Sequence, residues 1–315
     1  MKILFIGNTR LGDAILSTSI LNHFKKSNIK ITVVCSPVSA DVYKIFSNVE
    51  NIISVVKKKR SKHWLEIYLK LERCKWDLVI DLRNTIISRI IRKKKIYRIK
   101  INNNKHKVEN LCKTIGLNSV LSPNIPVSKK IIKDALEVTR NKSLKSPILA
   151  IAPVTNWDRK NWPLEKFADL VNRLAKKKVK NNYYFRSVIL LGNKNEKEKC
   201  ELLKNRIKNI MVVNLAGELK IDVLYSILKN SKLFVGNDSG LMHLAAASGV
   251  LTLGLFGPSK TEHYKPWGKN AYFIRTKKSY DELVLSKDYN RNDNSNLMNE
   301  LSVEDVCKKC ISVLN

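Results

Sequence analysis

The sequence has few acidic residues, no long apolar run and no cysteine framework. It holds 27 Asp and Glu against 59 Lys and Arg, so its formal net charge is +32. It contains no run of about 18 apolar residues, the length that a membrane-spanning helix requires. The apolar start before Asn8 is too short for a secretory signal, and the six cysteines are scattered rather than spaced as disulfide pairs. These absences predict a cytoplasmic protein that does not span a membrane.

Two common nucleotide-binding loops are missing as well. Gly7 and Gly12 are spaced as in a Walker loop, but Asp13 and Ala14 stand where that loop needs Lys and Ser or Thr. No G-x-G-x-x-G occurs, so nothing in the sequence supports a dinucleotide site. The sequence therefore excludes a P-loop NTPase.

Metal binding is not expected either. Cys307 and Cys310 have a spacing that is seen in metal and redox sites. However, they lie in the predicted helix Val303–Leu314, with no second pair and no nearby His. We therefore predict no metal site.

The pattern of strands and helices predicts two domains. At 315 residues the chain exceeds what one hydrophobic core usually supports. Strand-like runs alternate with helical ones in both halves, which is typical of parallel βαβ sheets. We predict an α/β protein with one Rossmann-like domain over residues 1–145 and another over 146–315, joined by the polar stretch Thr139–Pro147. After a first strand from Lys2 to Gly7, the predicted strands are Ile31–Cys35, Ile52–Val56, Leu78–Leu82, Tyr97–Ile101, Ile148–Ala152, Ser187–Leu191, Met211–Asn214, Lys232–Val235 and Leu251–Leu255.

The first strand leads into a polar turn and then into the predicted helix Ala14–Lys26. Asp13 stands at that junction, near the N-terminus of the helix. It either caps the helix or lies at the strand edge where open α/β sheets bind ligands. Both interpretations stay open from this turn alone.

A second junction, Asn237-Asp-Ser-Gly-Leu-Met-His243, joins an apolar strand to the helical run Leu241–Ser248. Such a junction suits an anion, because the first N–H groups of a helix have no intrahelical partner and its N-terminus carries about half a positive charge. Asp238 or Ser239 can cap the helix, and Gly240 allows a ligand to approach the backbone. His243 lies one turn further on the same face as Ser239. The alternative is a capped core helix with a buried His.

Two further loops follow predicted strands. In the segment from Ala152 to Pro163, Thr155 and Lys160 offer a hydroxyl and an ammonium group to a diphosphate. In the segment from Leu191 to Glu196, Glu196 offers a carboxylate to ribose hydroxyls. The alternatives are a loop anchored by its Trp residues and an acid that only stabilises a helix N-terminus.

The positive charge is concentrated in the N-terminal half. Residues 1–145 hold 31 Lys and Arg against 10 Asp and Glu, and residues 146–315 hold 28 against 17, so the halves carry +21 and +11. Basic runs lie at 57–62 and 89–107. They either attract an anionic partner or are solvated faces in a chain rich in Lys, Asn and Ile. Nucleic acid is not expected, because aromatic residues are not interleaved with the basic ones.

Together, these segments resemble glycosyltransferase family 9, the lipopolysaccharide heptosyltransferases. The resemblance extends from Met1 to the C-terminal helix. It implies a GT-B fold, with two domains facing a central cleft and the last helix a candidate for packing back on the N-terminal domain. It also implies metal-independent, inverting transfer of heptose from ADP-heptose to the lipopolysaccharide inner core. The motifs that carry it are Leu11-Gly-Asp-Ala14, Ala152-Pro, Trp157-x-x-Lys160-x-Trp-Pro163, Gly192-x-x-x-Glu196, Asn237-Asp-Ser-Gly-Leu-Met-His-Leu-Ala245, Phe256-Gly-Pro258 and Trp267-Gly268.

The resemblance also assigns roles to single residues. Asp13 matches the general base, and Glu196 matches a ribose contact. No Asp-x-Asp occurs in the chain, so the motif by which many other glycosyltransferases hold a metal-bound nucleotide is missing. The remaining candidates are the donor-side residues Thr155, Lys160, Asp238, Ser239, Gly240 and His243, and the acceptor-side residues Thr9, Arg10 and Gly12.

The implied partners are a nucleotide sugar and an anionic glycolipid, met peripherally at the cytoplasmic face of the inner membrane, with no cofactor. The segment Lys277–Glu300 departs from the family, because it is polar and lacks the cysteine-bearing segment of many members. We expect a mobile loop there. The alternative functions are transfer of another nucleotide sugar in surface polysaccharide synthesis, a GT-B sugar-nucleotide epimerase, and a basic membrane-binding or nucleic-acid-binding protein.

Overall fold

The chain forms two units, Met1–Pro126 and Val127–Asn315. The computed structural model describes residues 1–26, 28–56, 62–179, 182–286, 289–290 and 292–315. Its strands are β1 (Lys2–Ile6), β2 (Lys30–Cys35), β3 (Val49–Ser54), β4 (Trp76–Asp81), β5 (Lys93–Arg98), β6 (Ile148–Ala152), β7 (Lys178–Val179), β8 (Asn182–Tyr183), β9 (Ser187–Leu190), β10 (Met211–Asn214), β11 (Leu233–Asn237), β12 (Leu251–Phe256) and β13 (Ala271–Arg275). Its helices are α1 (Leu11–His23), α2 (Pro37–Tyr43), α3 (Lys62–Leu71), α4 (Ile87–Ile90), α5 (Lys107–Thr114), α6 (Lys129–Asn141), α7 (Leu164–Ala175), α8 (Lys197–Lys204), α9 (Ile221–Lys229), α10 (Gly240–Ser248), α11 (Thr261–Tyr264) and α12 (Val303–Leu314).

The first unit is built on a parallel five-stranded sheet in the order β3-β2-β1-β4-β5. The central strand β1 is a continuous apolar run whose residues from Ile3 to Ile6 are all buried. Such a run is typical of a parallel strand that is covered on both faces. The chain leaves β1 toward β2 and β3 and then returns to the other side of β1 with β4.

The second unit is built on a parallel six-stranded sheet in the order β10-β9-β6-β11-β12-β13. Here the chain runs from β6 outward to β9 and β10 and returns to β6 with β11. The core contains the fully buried Trp162 and Phe167, with their rings edge to face at 4.9 Å. Helices α7 and α12 pack together over this core.

The boundary between the units lies before α6, whereas the sequence predicts it at 145/146. Thr139, Arg140 and Asn141 are the last residues of α6 and not the start of a linker. The reason is tertiary: α6 packs on α9 of the second unit. The last helix, α12, packs on α7, on β12 and on the edge strand β13 of its own unit.

Two edge strands differ from the sequence prediction. β5 spans Lys93–Arg98 rather than Tyr97–Ile101, and β13 was not predicted. Edge strands carry lysines that blunt edge-to-edge pairing, so the run Lys93–Lys95 resembles a solvated loop in the sequence. In the described part of the chain, no helix has the length and apolarity needed to span a bilayer.

Candidate active site

In the first unit, the candidate site lies where the chain direction reverses between β1 and β4. Ile6 pairs with Asp81 in the last register position of these strands. Ligands of open α/β sheets bind beyond the carboxyl ends of the strands at such a reversal. The turn after β1 carries Thr9 and Arg10, both exposed, and leads to Gly12 and Asp13 in the first turn of α1.

Asp13 does not act as the helix cap that the sequence allows. The N-cap position of α1 is Arg10, and Asp13 lies in the first helical turn. Its Oδ1 atom is buried and has no hydrogen-bond partner among the residues that the structure describes. A buried carboxylate oxygen without a donor is energetically costly. The Asp13 side chain as a whole is 17% exposed, so the carboxylate remains within reach of a substrate at this strand edge.

Lys107 faces this carboxylate, and the sequence prediction missed it. Its ammonium nitrogen lies 3.6 Å from Asp13 Oδ1, which is an ion pair beyond hydrogen-bond reach. Lys107 is only 6% exposed, at the start of α5, and α5 packs against α1. The pair therefore neutralises a buried ammonium and a half-buried carboxylate without a hydrogen bond between them.

Close backbone packing shapes the turn after β1. The hydroxyl oxygen of Tyr43 lies 2.7 Å from the position that a Cβ on Gly7 would occupy. The Tyr43 hydroxyl also hydrogen-bonds Ser17 Oγ at 2.9 Å, and burial raises the pKa of Tyr43 well above its ordinary value. Ser36 Oγ donates to the Thr9 carbonyl at 2.7 Å. These contacts fix the turn that presents Arg10 and Gly12.

In the second unit, the candidate site lies at the reversal between β6 and β11, where Ala152 pairs with Gly236. A Cβ on Gly236 would lie 2.9 Å from the Ala152 carbonyl oxygen, so the close approach of these strands requires glycine. Lys160 reaches across this reversal from the loop after β6. Its ammonium donates to the Asp238 carbonyl at 2.7 Å and lies 3.5 Å from Asp238 Oδ2.

Ser259, which the sequence prediction also missed, completes this cluster. Its hydroxyl donates to Asp238 Oδ2 at 2.7 Å from the loop after β12. Asp238 therefore orients Lys160 and Ser259 instead of capping α10. The cap is Ser239, whose Oγ accepts from the Met242 amide at 3.4 Å.

The turn from Asp238 to Gly240 presents the start of α10 at the same strand edge. The first N–H groups of a helix have no intrahelical partner, which suits an anion. His243 lies one turn further and is buried, as both interpretations of the sequence allow. Lys160 and the N-terminus of α10 together form a positively polarised edge.

Thr155 has a structural role in the loop after β6. Its amide and hydroxyl both donate to Asn161 Oδ1 at 2.8 Å. Asn237, fully buried at the end of β11, donates to the Pro153 carbonyl at 2.7 Å and accepts from the Trp162 amide at 3.0 Å. This bonding holds the loop that carries Lys160.

Glu196 lies in the loop after β9, on a short 3-10 helix from Lys194 to Glu196. Its Oε2 atom accepts from the Asn193 amide at 2.8 Å in a capping box. Burial raises the pKa of Glu196 above its ordinary value. The helix-terminal role that the sequence left open is therefore present, and the ribose contact stays a prediction.

Arg159 binds described residues of the segment that was predicted to be mobile. The Arg159 guanidinium donates to the carbonyls of Ser295 at 3.0 Å and Asn290 at 2.9 Å. It also lies 5.1 Å from the ring centroid of Tyr289. These contacts order the chain around Ser295 in front of the loop that carries Lys160.

Cys307 and Cys310 belong to the core of the second unit. Both are buried, and burial raises the pKa of each thiol. Within the described ranges, no group of three or more His, Cys, Asp or Glu side chains is arranged to hold a metal ion.

Comparison with known proteins identifies the family. The sequence model of glycosyltransferase family 9 (heptosyltransferase) matches residues 89–290. The chain belongs to glycosyltransferase family 9. The lipooligosaccharide heptosyltransferase 2 of Campylobacter jejuni subsp. jejuni serotype O:6 is 29% identical over 290 residues, which cover 87% of this chain and 87% of that protein.

Two solved structures share the fold. The family 9 glycosyltransferase of Veillonella parvula DSM 2008 matches with a TM-score of 0.77 and 20% identity, covering 99% of this chain and 97% of that one. The ADP-heptose lps heptosyltransferase II of E. coli matches with a TM-score of 0.73 and 21% identity, covering 100% and 98%. The predicted family and the GT-B class, with two parallel-sheet α/β domains, are confirmed, and the protein is a glycosyltransferase.

The family match covers the candidate site of the second unit but not Asp13 of the first unit. Residues 89–290 include Lys160, Glu196 and the turn from Asp238 to Gly240, whereas Asp13 lies outside them. Within family 9, the roles of all these residues in this chain stay predictions.

Proposed function

We propose that the protein transfers heptose with inversion from ADP-heptose to an inner-core lipopolysaccharide acceptor, with Asp13 as general base and without a metal. The observation that carries this proposal is the Asp13 carboxylate, which is 17% exposed and whose Oδ1 has no hydrogen-bond partner among the described residues. It lies at the strand edge where an open α/β sheet binds its ligand. The heptosyltransferase relatives support the heptose donor, and one of them carries ADP-heptose in its name.

In the proposed reaction, an acceptor hydroxyl oxygen forms a bond to the anomeric carbon of the heptose. The bond from that carbon to the ADP oxygen breaks, and Asp13 takes the hydroxyl proton. Lys107 keeps its ammonium group near the carboxylate and fixes the orientation of this base.

The departing diphosphate needs positive groups that are already in place. Lys160 donates one of its three N–H groups to the Asp238 carbonyl, so the other two can bind phosphate oxygens. The N-terminus of α10, with the turn from Asp238 to Gly240, supplies further N–H donors. We assign Thr155 to the support of this loop, and Glu196 and His243 to the ribose and sugar side of the donor. Thr9, Arg10 and Gly12 are assigned to the acceptor side.

Turnover is expected to persist in EDTA. Because Lys160 and the helix N-terminus supply the charge that a divalent ion would otherwise provide, chelation should leave the rate nearly unchanged. The release of nucleoside diphosphate with and without EDTA checks this. Loss of turnover that magnesium restores would show that the metal-free mechanism is wrong.

We propose that the acceptor is met at the cytoplasmic membrane face, where its anionic groups suit the basic first unit. Raising salt from about 50 to about 300 mM should raise the KM for the acceptor much more than the KM for the donor, because exposed charges are screened over about 10 Å at 0.1 M. Steady-state kinetics at both salt concentrations test this. Equal changes in the two KM values would contradict it.

The contacts of the basic residues show which of them are suitable for neutralisation in a variant. Most of the run at 57–62 lies outside the described residues. Lys93 donates to the Arg89 and Ile91 carbonyls at 2.8 and 3.1 Å, so it stabilises the end of α4. Lys94 pairs with Asp77 at 2.7 Å. Arg89 and Arg92 are exposed and better suited to neutralisation.

A donor screen tests the proposed function. Nucleotide sugars are incubated with and without the glycolipid acceptor, and nucleoside diphosphate release is measured. We expect release only with ADP-heptose and acceptor together. Release without acceptor would indicate epimerase-type chemistry, and a preference for another nucleotide would refute the donor assignment.

A further inference from the structure

Four large apolar side chains lie exposed on neighbouring helices of the first unit. Leu65 and Leu69 on α3 are 64% and 55% exposed, and Ile86 and Ile90 on the α4 segment are 68% and 57% exposed. Each pair is spaced i, i+4, so its members share one face of their helix. Exposed apolar residues that occur singly need no explanation, but a contiguous set marks an interaction surface.

The two helices contribute to the same hydrophobic core cluster. Ile67 and Leu71 of α3 share one core cluster with Ile87 and Ile91 of the α4 segment. Outside this core, Tyr68 and Ile90 line a common surface groove of about 360 Å³ together with Glu72, Arg73 and Arg92. At the start of α3, the Arg83 guanidinium carbon lies 5.1 Å from the ring centroid of Trp64. We call the exposed side of these two helices, which carries Leu65, Leu69, Ile86 and Ile90, the α3–α4 surface.

The charge around this surface is strongly positive. Between residues 62 and 100 the sequence holds 12 Lys and Arg against 4 Asp and Glu, a net charge of +8. Two of the four acids are already engaged: Asp77 pairs with Lys94, and Asp81 is buried and binds Thr85. The cations Arg73, Arg89 and Arg92 are exposed at the surface. An apolar centre with a basic margin matches an anionic lipid bilayer, in which acyl chains lie below negative headgroups.

The position in the fold agrees with this partner. Ile86 follows the carboxyl end of β4, the strand beside the reversal where Asp13 lies. The α3–α4 surface thus begins at the strand edge that the acceptor is proposed to reach. A lipid-anchored acceptor would be presented there from the bilayer.

We propose that the α3–α4 surface docks the protein on an anionic membrane by inserting Leu65, Leu69, Ile86 and Ile90 between headgroups. This inference rests on the lipid nature of the acceptor in the proposed function. It names the contact that would bring the first unit to that acceptor.

Flotation of the full chain with vesicles of equal parts phosphatidylglycerol and phosphatidylcholine tests the proposal. The double variant Leu65→Ser/Leu69→Ser should lower the vesicle partition coefficient at least about tenfold, since two apolar side chains lose their burial in lipid. The triple variant Arg73→Gln/Arg89→Gln/Arg92→Gln should lower it by about fivefold per charge removed. The matched control is Ile132→Ser/Leu136→Ser, an i, i+4 pair on α6 that is 45% and 56% exposed. It should bind vesicles as the unaltered protein does.

A second measurement uses the tryptophan fluorescence of the protein. Brominated acyl chains should quench the fluorescence of half-buried Trp64 in the unaltered protein, and Trp64→Phe should remove this quenching. Vesicle binding that the α3 variant leaves unchanged, or equal losses in the control, would overturn the proposal. So would self-association in sedimentation that the variant abolishes while vesicle binding is absent, because the surface would then bind a second copy.

Turnover on a delipidated, soluble acceptor separates this proposal from the proposed function. We expect the Leu65→Ser/Leu69→Ser variant to keep that turnover while it loses vesicle binding. Loss of vesicle binding in a protein that never transfers heptose would leave the docking surface standing and refute the assigned activity. Normal heptose transfer by variants whose vesicle binding is unchanged would refute the docking surface and leave the assigned activity standing.

Discussion

Replacing Asp13 with Asn is expected to lower turnover by roughly 10²–10⁴-fold, the range typical of the loss of a general base. Donor affinity should stay nearly unchanged, because Lys160 and the turn from Asp238 to Gly240 belong to the other unit. The amide has nearly the shape of the carboxylate but cannot take up the proton of the acceptor hydroxyl. Steady-state rates and calorimetric titration with ADP-heptose measure the two quantities separately.

A matched control for this variant is Asp41→Asn. Asp41 belongs to the same unit, is exposed, and pairs only at the surface with Lys44 at 3.0 Å. It should leave both rate and affinity unchanged. An equal loss of donor binding in Asp13→Asn would contradict the base role. A purely structural role, through the ion pair with Lys107, would instead lower the free energy of unfolding.

Replacing Lys160 with Met is expected to weaken ADP binding by about 10–100-fold, because a hydrogen bond to a charged group contributes about 1.5–3 kcal/mol. Met keeps the apolar stem of the side chain and removes the ammonium group. Asp238 retains its hydrogen bond from Ser259 at 2.7 Å, so the turn should keep its shape. Isothermal titration of the full chain with ADP measures the change.

Lys199→Met is the control for this second variant. Lys199 pairs with Asp158 at 2.7 Å close to the same loop, but it is exposed. Its loss should change ADP affinity by less than about twofold, since surface ion pairs contribute little. Equal effects of the two variants would show that general charge, not the position of Lys160, determines nucleotide binding.

The parts of the fold and site that depend on local sequence were predictable. A buried apolar strand followed by a polar turn and a helix predicted the junctions at Asp13 and at Asp238. The parts that depend on distant packing were not. Lys107 reaches Asp13 only because α5 packs on α1, and Ser259 reaches Asp238 only because β12 lies beside β11.

Tertiary packing also explains the remaining differences. The polar composition of Thr139–Pro147 indicated a linker, but α6 extends to Asn141 and packs on α9. The lysines that protect the edge strand β5 from pairing also give its sequence the composition of a loop, so its start was not predicted. The polar segment around Ser295 lacks an apolar pattern of its own, and its order comes from the buried guanidinium of Arg159.

We propose above that this protein adds heptose to a lipopolysaccharide acceptor with inversion. The most direct measurement is nuclear magnetic resonance of the purified product after reaction with ADP-heptose, together with its mass. We expect an acceptor that has gained one heptosyl unit in the anomeric configuration opposite to that of the donor. An unaltered acceptor, a different sugar, or retention of the donor configuration would contradict it.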